Sequence, residues 1–362
     1  MVALALAHAR PALAAAKAEA PVPAATVALM VQKNMAPSAP ILIRSYKKES
    51  VLEVWKQTRE GRYALLKSFP ICRWSGQLGP KRRQGDRQSP EGFYSVTPRQ
   101  LNPNSAYHLS FDTGYPNAYD RAHGASGSAL MVHGICSSAG CYAMTNQQIS
   151  EIYALARDAL AAGQGAFQMQ AYPFRMSAEN MARYRADPNI DFWRQLKEGY
   201  DHFEATAQEP RVSVVGGRYA FSGRTPALEQ IAREHHAQEA SRIEALVQEG
   251  GASIRTTYAD GGQHAIFMAM AKAGVDLGEV SRPDALAYAG RDVILSPARP
   301  AQRPIMAKAP VMSAAAVAQD EAAMAPSSAP PLKAHRLMSG AVPILDEAFA
   351  ARPWVTLAQH GI

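Results

Sequence analysis

Val132-His133-Gly134-Ile135-Cys136-Ser137-Ser138-Ala139-Gly140-Cys141-Tyr142-Ala143-Met144 brings a histidine and a cysteine close together through a turn rich in Gly and Ser. A cysteine attacks carbonyls as its thiolate and needs a base or a positive potential to lower its pKa, and His133 is the obvious base. His133 ends an apolar run, Ala129-Leu130-Met131-Val132, that reads as a buried strand, while Gly134 and Gly140 allow turns that a side chain would block. The pair is therefore expected to face each other across a short loop. Downstream, Thr145 and Gln148 have the spacing of a capping box, and Ile149, Ile152, Tyr153, Ala156, Ala159 and Leu160 predict a helix over about 146–162. Cys141 then sits one turn before a helix N-terminus, whose N–H groups and dipole favour a thiolate or an oxyanion. The plainer alternative is a core cysteine that happens to lie near a histidine.

The wording of the motif separates these readings. His133-Gly134 followed by Ser138-Ala139-Gly140-Cys141-Tyr142-Ala143-Met144 resembles the catalytic signature of the L,D-transpeptidase (YkuD-domain) family, and within it the YafK-type branch. Ser89-Pro90-Glu91-Gly92-Phe93-Tyr94 and Gly114-Tyr115-Pro116-Asn117-Ala118-Tyr119-Asp120-Arg121 extend the likeness, which runs from about Ile41 to Phe221. The Cys–His pair points to acyl transfer through a thioester on Cys141, with His133 moving the proton and the Gly134 carbonyl orienting the imidazole. N–H groups around Gly140 and Cys141, in the turn that carries Ser138, would form the oxyanion hole.

The resemblance implies meso-diaminopimelate in peptidoglycan as substrate and no cofactor or metal. The partners it implies are peptidoglycan and a peptidoglycan-linked outer-membrane lipoprotein, in a periplasmic location reached by export. Tyr115, Asn117, Tyr119, Arg121 and Arg175 are candidates for the substrate cleft, where a guanidinium suits a carboxylate; bonding within a structural turn is the alternative. Most family members carry His and Arg where this chain has Ala139 and Ala143, and space the pair further apart. Hydrolysis of a diaminopimelate–lysine amide ranks ahead of cross-linking or protein attachment. A non-catalytic wall-binding module is the competing class.

Composition sets wider bounds. The 362 residues, 47% of them hydrophobic, can bury a full core with room for extra segments. A net charge of +7 favours acidic partners, but aromatic and basic residues do not interleave in a nucleic-acid module, and no apolar run is long enough to span a bilayer. The N-terminus is apolar without a basic n-region, a weak export signal. Of three cysteines, Cys72 and Cys136 either bridge in an oxidising compartment or stay as buried thiols.

The expected fold class is α+β, mainly β, with a YkuD-like antiparallel or mixed sandwich-like sheet, flanking helices and a helical, partly disordered C-terminal extension. Residues 1–38 read as leader and linker, 39–222 as the catalytic domain, 223–296 as a helical extension and 297–362 as an Ala/Pro-rich, mostly disordered tail. Ile41–Tyr46, Val51–Trp55 and Tyr63–Phe69 predict an antiparallel meander, and Arg211–Val215 a last strand. The loop with Lys81, Arg82, Arg83 and Arg87 is either a solvated connection or a substrate attractant. Phe192, Leu196, Tyr200 and Phe203 share one face of a helix and are expected in the core; His235 and His236 are expected on a solvated face.

Overall fold

The three predicted meander strands are β1 (Ile41–Tyr46), β2 (Val51–Gln57) and β3 (Tyr63–Pro70), paired antiparallel in sequence order. They belong to a computed structural model that describes residues 16–298. The expectations for residues 1–15 and for the tail from 299 fall outside the described residues.

With β5 (Gly92–Val96) and β10 (Phe167–Tyr172) the meander makes a five-stranded mixed sheet of order β3-β2-β1-β10-β5. β10 runs parallel to β1, with Ile43 opposite Met169. Every residue of β1 and β10 is buried, which their central place in the sheet requires. The cost of burying Arg44 in β1 is offset by a cage of rings, with its guanidinium 4.5 Å from the centre of Tyr200 and 4.6 Å from Phe203, and by an ion pair with Glu204 at 2.5 Å.

A second mixed sheet has the order β4-β9-β8-β7-β6, formed by Arg73–Trp74, Tyr142–Ala143, Met131–His133, Ser110–Asp112 and Leu101–Asn102. Phe111 of β7 meets Phe167 of β10 edge-on, ring centres 5.6 Å apart, and so joins the two sheets through the core.

Helices flank the sheets. α1 (Ala24–Gln32) lies within the stretch read as leader; its Thr26 donates to Glu151, which also pairs with Lys67 of β3 at 2.8 Å. α2 (Ala118–Ala122) is short, and α3 (Asn146–Ala161) matches the predicted capped helix. α4 (Ala178–Arg183) and α5 (Ile190–Thr206) follow β10, and α5 buries Phe192, Leu196 and Phe203 as expected. β11 (Arg211–Val215) is joined by an unforeseen partner, β12 (Arg218–Ser222).

The stretch 223–296 contains strand as well as helix. α6 (Pro226–Gln248) and α7 (Ala265–Lys272) accompany an antiparallel pair, β13 (Ser253–Thr257) and β14 (Arg291–Ser296). His236 is not simply solvated. Its Nδ1 donates to the buried carboxylate of Asp201 on α5 at 2.7 Å, and Lys197 pairs with both Asp201 and Glu239.

The bond to Asp201 raises the His236 pKa despite its partial burial. A raised folded-state value means that the contribution is complete below the usual imidazole pKa of about 6.5 and is lost as pH rises through the higher value. Thermal denaturation of the protein and of His236→Ala should therefore differ most at the acid end and converge at alkaline pH. Allowing for solvent screening of a side chain that is 38% exposed, the acid-end difference should be about 1 kcal/mol.

Candidate active site

β8 and β9 lie side by side and parallel, with Val132 opposite Tyr142 and His133 opposite Ala143. Parallel neighbours usually need a connection of about a dozen residues or more, yet residues 134–141 suffice here. Sharp backbone makes this possible: Ile135 sits in the left-handed region at φ 62°, rare for a β-branched residue, and Gly140 has φ 135°. A disulfide fastens the loop, joining Cys136 to Cys72 with Cα atoms 5.3 Å apart. Cys72 in turn donates its N–H to the Ala143 carbonyl at 2.9 Å. The alternative left open by the sequence is thus resolved as a bridge, a bond that persists in oxidising compartments outside the cytoplasm.

Because strand neighbours in register share a face, His133 and the residue just before β9, Cys141, lie on the same side of the sheet. The His133 Nδ1–H donates to the Gly134 carbonyl at 2.5 Å, which fixes the tautomer and leaves Nε2 without a proton. Tyr107 tilts over the imidazole at 4.6 Å. Gly134 cannot be replaced without displacement, since a Cβ there would come within 2.6 Å of Asn146 Oδ1 and 2.9 Å of the Tyr107 carbonyl. Cys141 is the free cysteine, and its Sγ accepts the Met131 N–H at 3.4 Å.

Burial pushes the Cys141 thiol up; the Met131 N–H opposes this, the charge of Asp112 adds to it and that of Lys81 opposes it. Burial likewise lowers the His133 pKa, against the pull of the Gly134 carbonyl. No hydrogen bond joins the two side chains, and burial favours the neutral form of each, thiol and imidazole. The first turn of α3 is closed by the Thr145–Gln148 box, and Asn146 Oδ1 accepts the Ile135 N–H at 3.1 Å, on the histidine side of the loop.

The carbonyl of Cys141 accepts hydroxyls from Ser138 at 2.7 Å and Ser89 at 3.0 Å. The Gly140 N–H points at Ser138 Oγ, 3.3 Å away. Ser138 is gripped from outside by Arg87 Nη2 on its carbonyl at 3.1 Å and by Ser281 on both its carbonyl and its N–H, each at 2.9 Å. Arg87 is in turn held by Asp260 at 2.6 Å, a carboxylate that also lies 3.6 Å from Arg73 and 3.4 Å from Arg282. Burial would raise the Asp260 carboxyl, but Arg87, the Gly76 N–H and Arg73 together hold it below its ordinary value. Of the basic loop's four cations, Arg87 is thus held and Lys81 is buried and paired with Asp86 at 2.5 Å, while Arg82 and Arg83 are exposed.

The other candidates make bonds and stacking contacts of their own. Tyr115 is buried and donates to the Ser126 carbonyl; Asn117 caps α2 and donates to the Phe93 carbonyl at 2.9 Å. Tyr119 is stacked between His123 and Tyr219. Arg121 is exposed and bonded to the Pro116 carbonyl, and Arg175 pairs with Glu53 at 2.5 Å above the Tyr46 ring. Nothing local in the sequence marks Asp260 or Ser281 as a brace, while Ser89 stands in the Ser-Pro-x-Gly segment without any sign of its bond to Cys141.

The YkuD family, the L,D-transpeptidase catalytic domain, matches residues 44–162. The L,D-transpeptidase-family protein YafK of Escherichia coli (strain K12) is 52% identical over 190 residues, covering 52% of this chain and 77% of that protein. Among solved structures, the helical cell shape determining protein Pgp2 of Campylobacter jejuni aligns with 64% of this chain and 80% of its own, at 14% identity and a TM-score of 0.31. His133, Cys141 and Cys72 fall inside the family match; Asp260 and Ser281 fall outside it.

Two outcomes are expected. Alkylation of Cys141 by iodoacetamide should climb steadily above neutral pH, following the raised thiol, and a plateau near neutrality would instead reveal a preformed ion pair. Asp260→Asn should cost about 3–5 kcal/mol in urea denaturation, because it leaves the fully buried Arg73 without a counter-charge.

Proposed function

As this chain belongs to the L,D-transpeptidase family, whose cysteine-dependent YkuD domain acts on peptidoglycan, we propose that it works at meso-diaminopimelate in the periplasm and passes its acyl group to water in preference to an amine. The observation that carries the reading is the placement of His133 and Cys141 on one face of β8 and β9, with Nδ1 locked by Gly134 and Nε2 left as base.

In this mechanism Nε2 of His133 removes the thiol proton as Sγ of Cys141 attacks the amide carbonyl at the L-centre. Starting from a neutral pair, the proton moves during attack. The tetrahedral oxyanion rests on the N–H groups of Cys141 and Gly140, the latter leaving Ser138 Oγ. Collapse breaks the C–N bond, the imidazolium returns its proton to the leaving amine, and a thioester remains on Cys141. Water, deprotonated by the same Nε2, then attacks the thioester and releases the diaminopimelate carboxylate and the thiol.

Two features favour water as acceptor. Ala143 is fully buried opposite His133, where most of the family carries arginine. Of the cations that could have replaced that arginine, Arg175 is paired with Glu53 and Arg121 lies in a cleft that neither Cys141 nor His133 lines. The leaving group is then the side-chain amine of a lysine in an attached lipoprotein, which is the amidase reading. Amine transfer, forming cross-links or attaching protein, is the second reading.

Incubation with muropeptides and with a muropeptide carrying a lysine-linked peptide tests this directly by mass spectrometry. The expected products are free peptide and free muropeptide, with few new dimers. Cys141→Ala should abolish turnover, and His133→Ala should lower it by about 100-fold to 10,000-fold. Undiminished activity in either variant would overturn the mechanism; dimers as the main product would overturn the choice of water.

A further inference from the structure

The β11–β12 hairpin turns through Gly216 and Gly217, both left-handed at φ 57° and 76°, as a two-residue hairpin requires. Val215 closes the turn opposite Arg218, so the antiparallel alternation directs the backbone groups of Ser213 and Arg211 to β12 and those of Val212 and Val214 outward. The partner of Val214, Tyr219, fits this parity, since its N–H turns away from β11 to Gln195 Oε1 at 3.1 Å. No group among the described residues bonds to the outward N–H and C=O of Val212 and Val214. Such an edge is a template for another strand.

That edge lines a cleft of about 640 Å³. The opposite wall, from β5, is closed to pairing: Phe93 donates its N–H to Tyr219 and accepts from Asn117, while the Ser95 carbonyl accepts from Gln100. Only β11 offers a ladder. The cleft also carries Arg121, Arg211 and Arg224 against one carboxylate, Glu209, which lies 3.9 Å from Arg224. Neither Cys141 nor His133 lines it.

We infer that this cleft is a docking groove for an extended acidic polypeptide segment, which adds as a strand along β11 and sets its carboxylates against Arg121, Arg211 and Arg224. Main-chain bonds to Val212 and Val214 supply a sequence-independent grip. Side chains two apart on the added strand point the same way, about 7 Å from one another, so acidic residues at alternate positions face the arginines together. Guanidinium groups suit that recognition because they bond carboxylates through two parallel N–H groups. Basic or neutral strands meet the same ladder without the charge match.

The test is fluorescence anisotropy with the full chain and the labelled peptide Thr-Glu-Val-Glu-Thr-Glu-Val-Glu-Thr. Saturable binding is expected, and the Arg211→Glu, Arg224→Glu double variant should weaken it by about tenfold or more while the circular dichroism spectrum and the rate of Cys141 alkylation stay unchanged. A peptide with lysine in place of glutamate should not bind. Methylating the backbone nitrogens of one alternate set should abolish binding, and of the other set should not. The inference fails if the acidic peptide does not saturate, if the lysine peptide binds equally, or if affinity is unmoved by the double variant or by both methylation patterns.

Discussion

Lys47 and Glu91 form an ion pair at 2.8 Å with both side chains wholly removed from solvent, and much of the architecture meets there. Buried charges are tolerated only when paired and fully hydrogen-bonded. Glu91 also accepts the Gly79 N–H at 2.7 Å and the Trp193 indole N–H at 2.9 Å, and Lys47 donates to the carbonyls of Gly79 and Ser89. The pair thereby pins the end of β1, both ends of the loop 79–91, and α5 to one point. Burial lowers the Lys47 pKa while Glu91 opposes the shift. Ser89, held by its carbonyl, presents its hydroxyl to Cys141. A charge pair at the core is thus two hydrogen bonds removed from Cys141.

The bracing on the other side of Cys141 has a different origin. Asp260 and Ser281 come from the stretch beyond the family match and reach the same loop through Arg87 and Ser138. The segment 134–141 is therefore held from both flanks, by the core through Ser89 and by the C-terminal stretch through Ser138. A connection this short between parallel strands, with Ile135 in a strained conformation, relies on such support.

What could be read from the residues was whatever is written locally. The meander, the capped helix 146–161 and the histidine–cysteine motif all carry periodicity or a fixed spacing within a dozen or so residues, and the structure places them where that spacing requires. The strand β12 was missed because Gly216-Gly217 was not taken as a hairpin turn, and His236 because a helix surface shows nothing of the carboxylate packed against it. Tyr115 and Asn117 look like cleft residues in a turn-rich stretch, but their polar tips are spent on Ser126, Phe93 and the α2 cap, and Tyr119 is stacked between His123 and Tyr219. Asp260 is the sharpest case. Its importance comes from three arginines far apart in sequence, a relation that only folding creates.

The disulfide sets a sorting problem during oxidation. Closing the 64-residue span between Cys72 and Cys136 removes about 4 kcal/mol of chain entropy from the unfolded state. With three cysteines there are three possible single bridges, and two of them would consume Cys141. The pairing of β4 with β9 brings Cys72 to the Ala143 carbonyl, beside the loop that carries Cys136, and Cys141 stays free. Oxidation before that pairing risks consuming Cys141 in a bridge; oxidation after it staples the loop and leaves that thiol free.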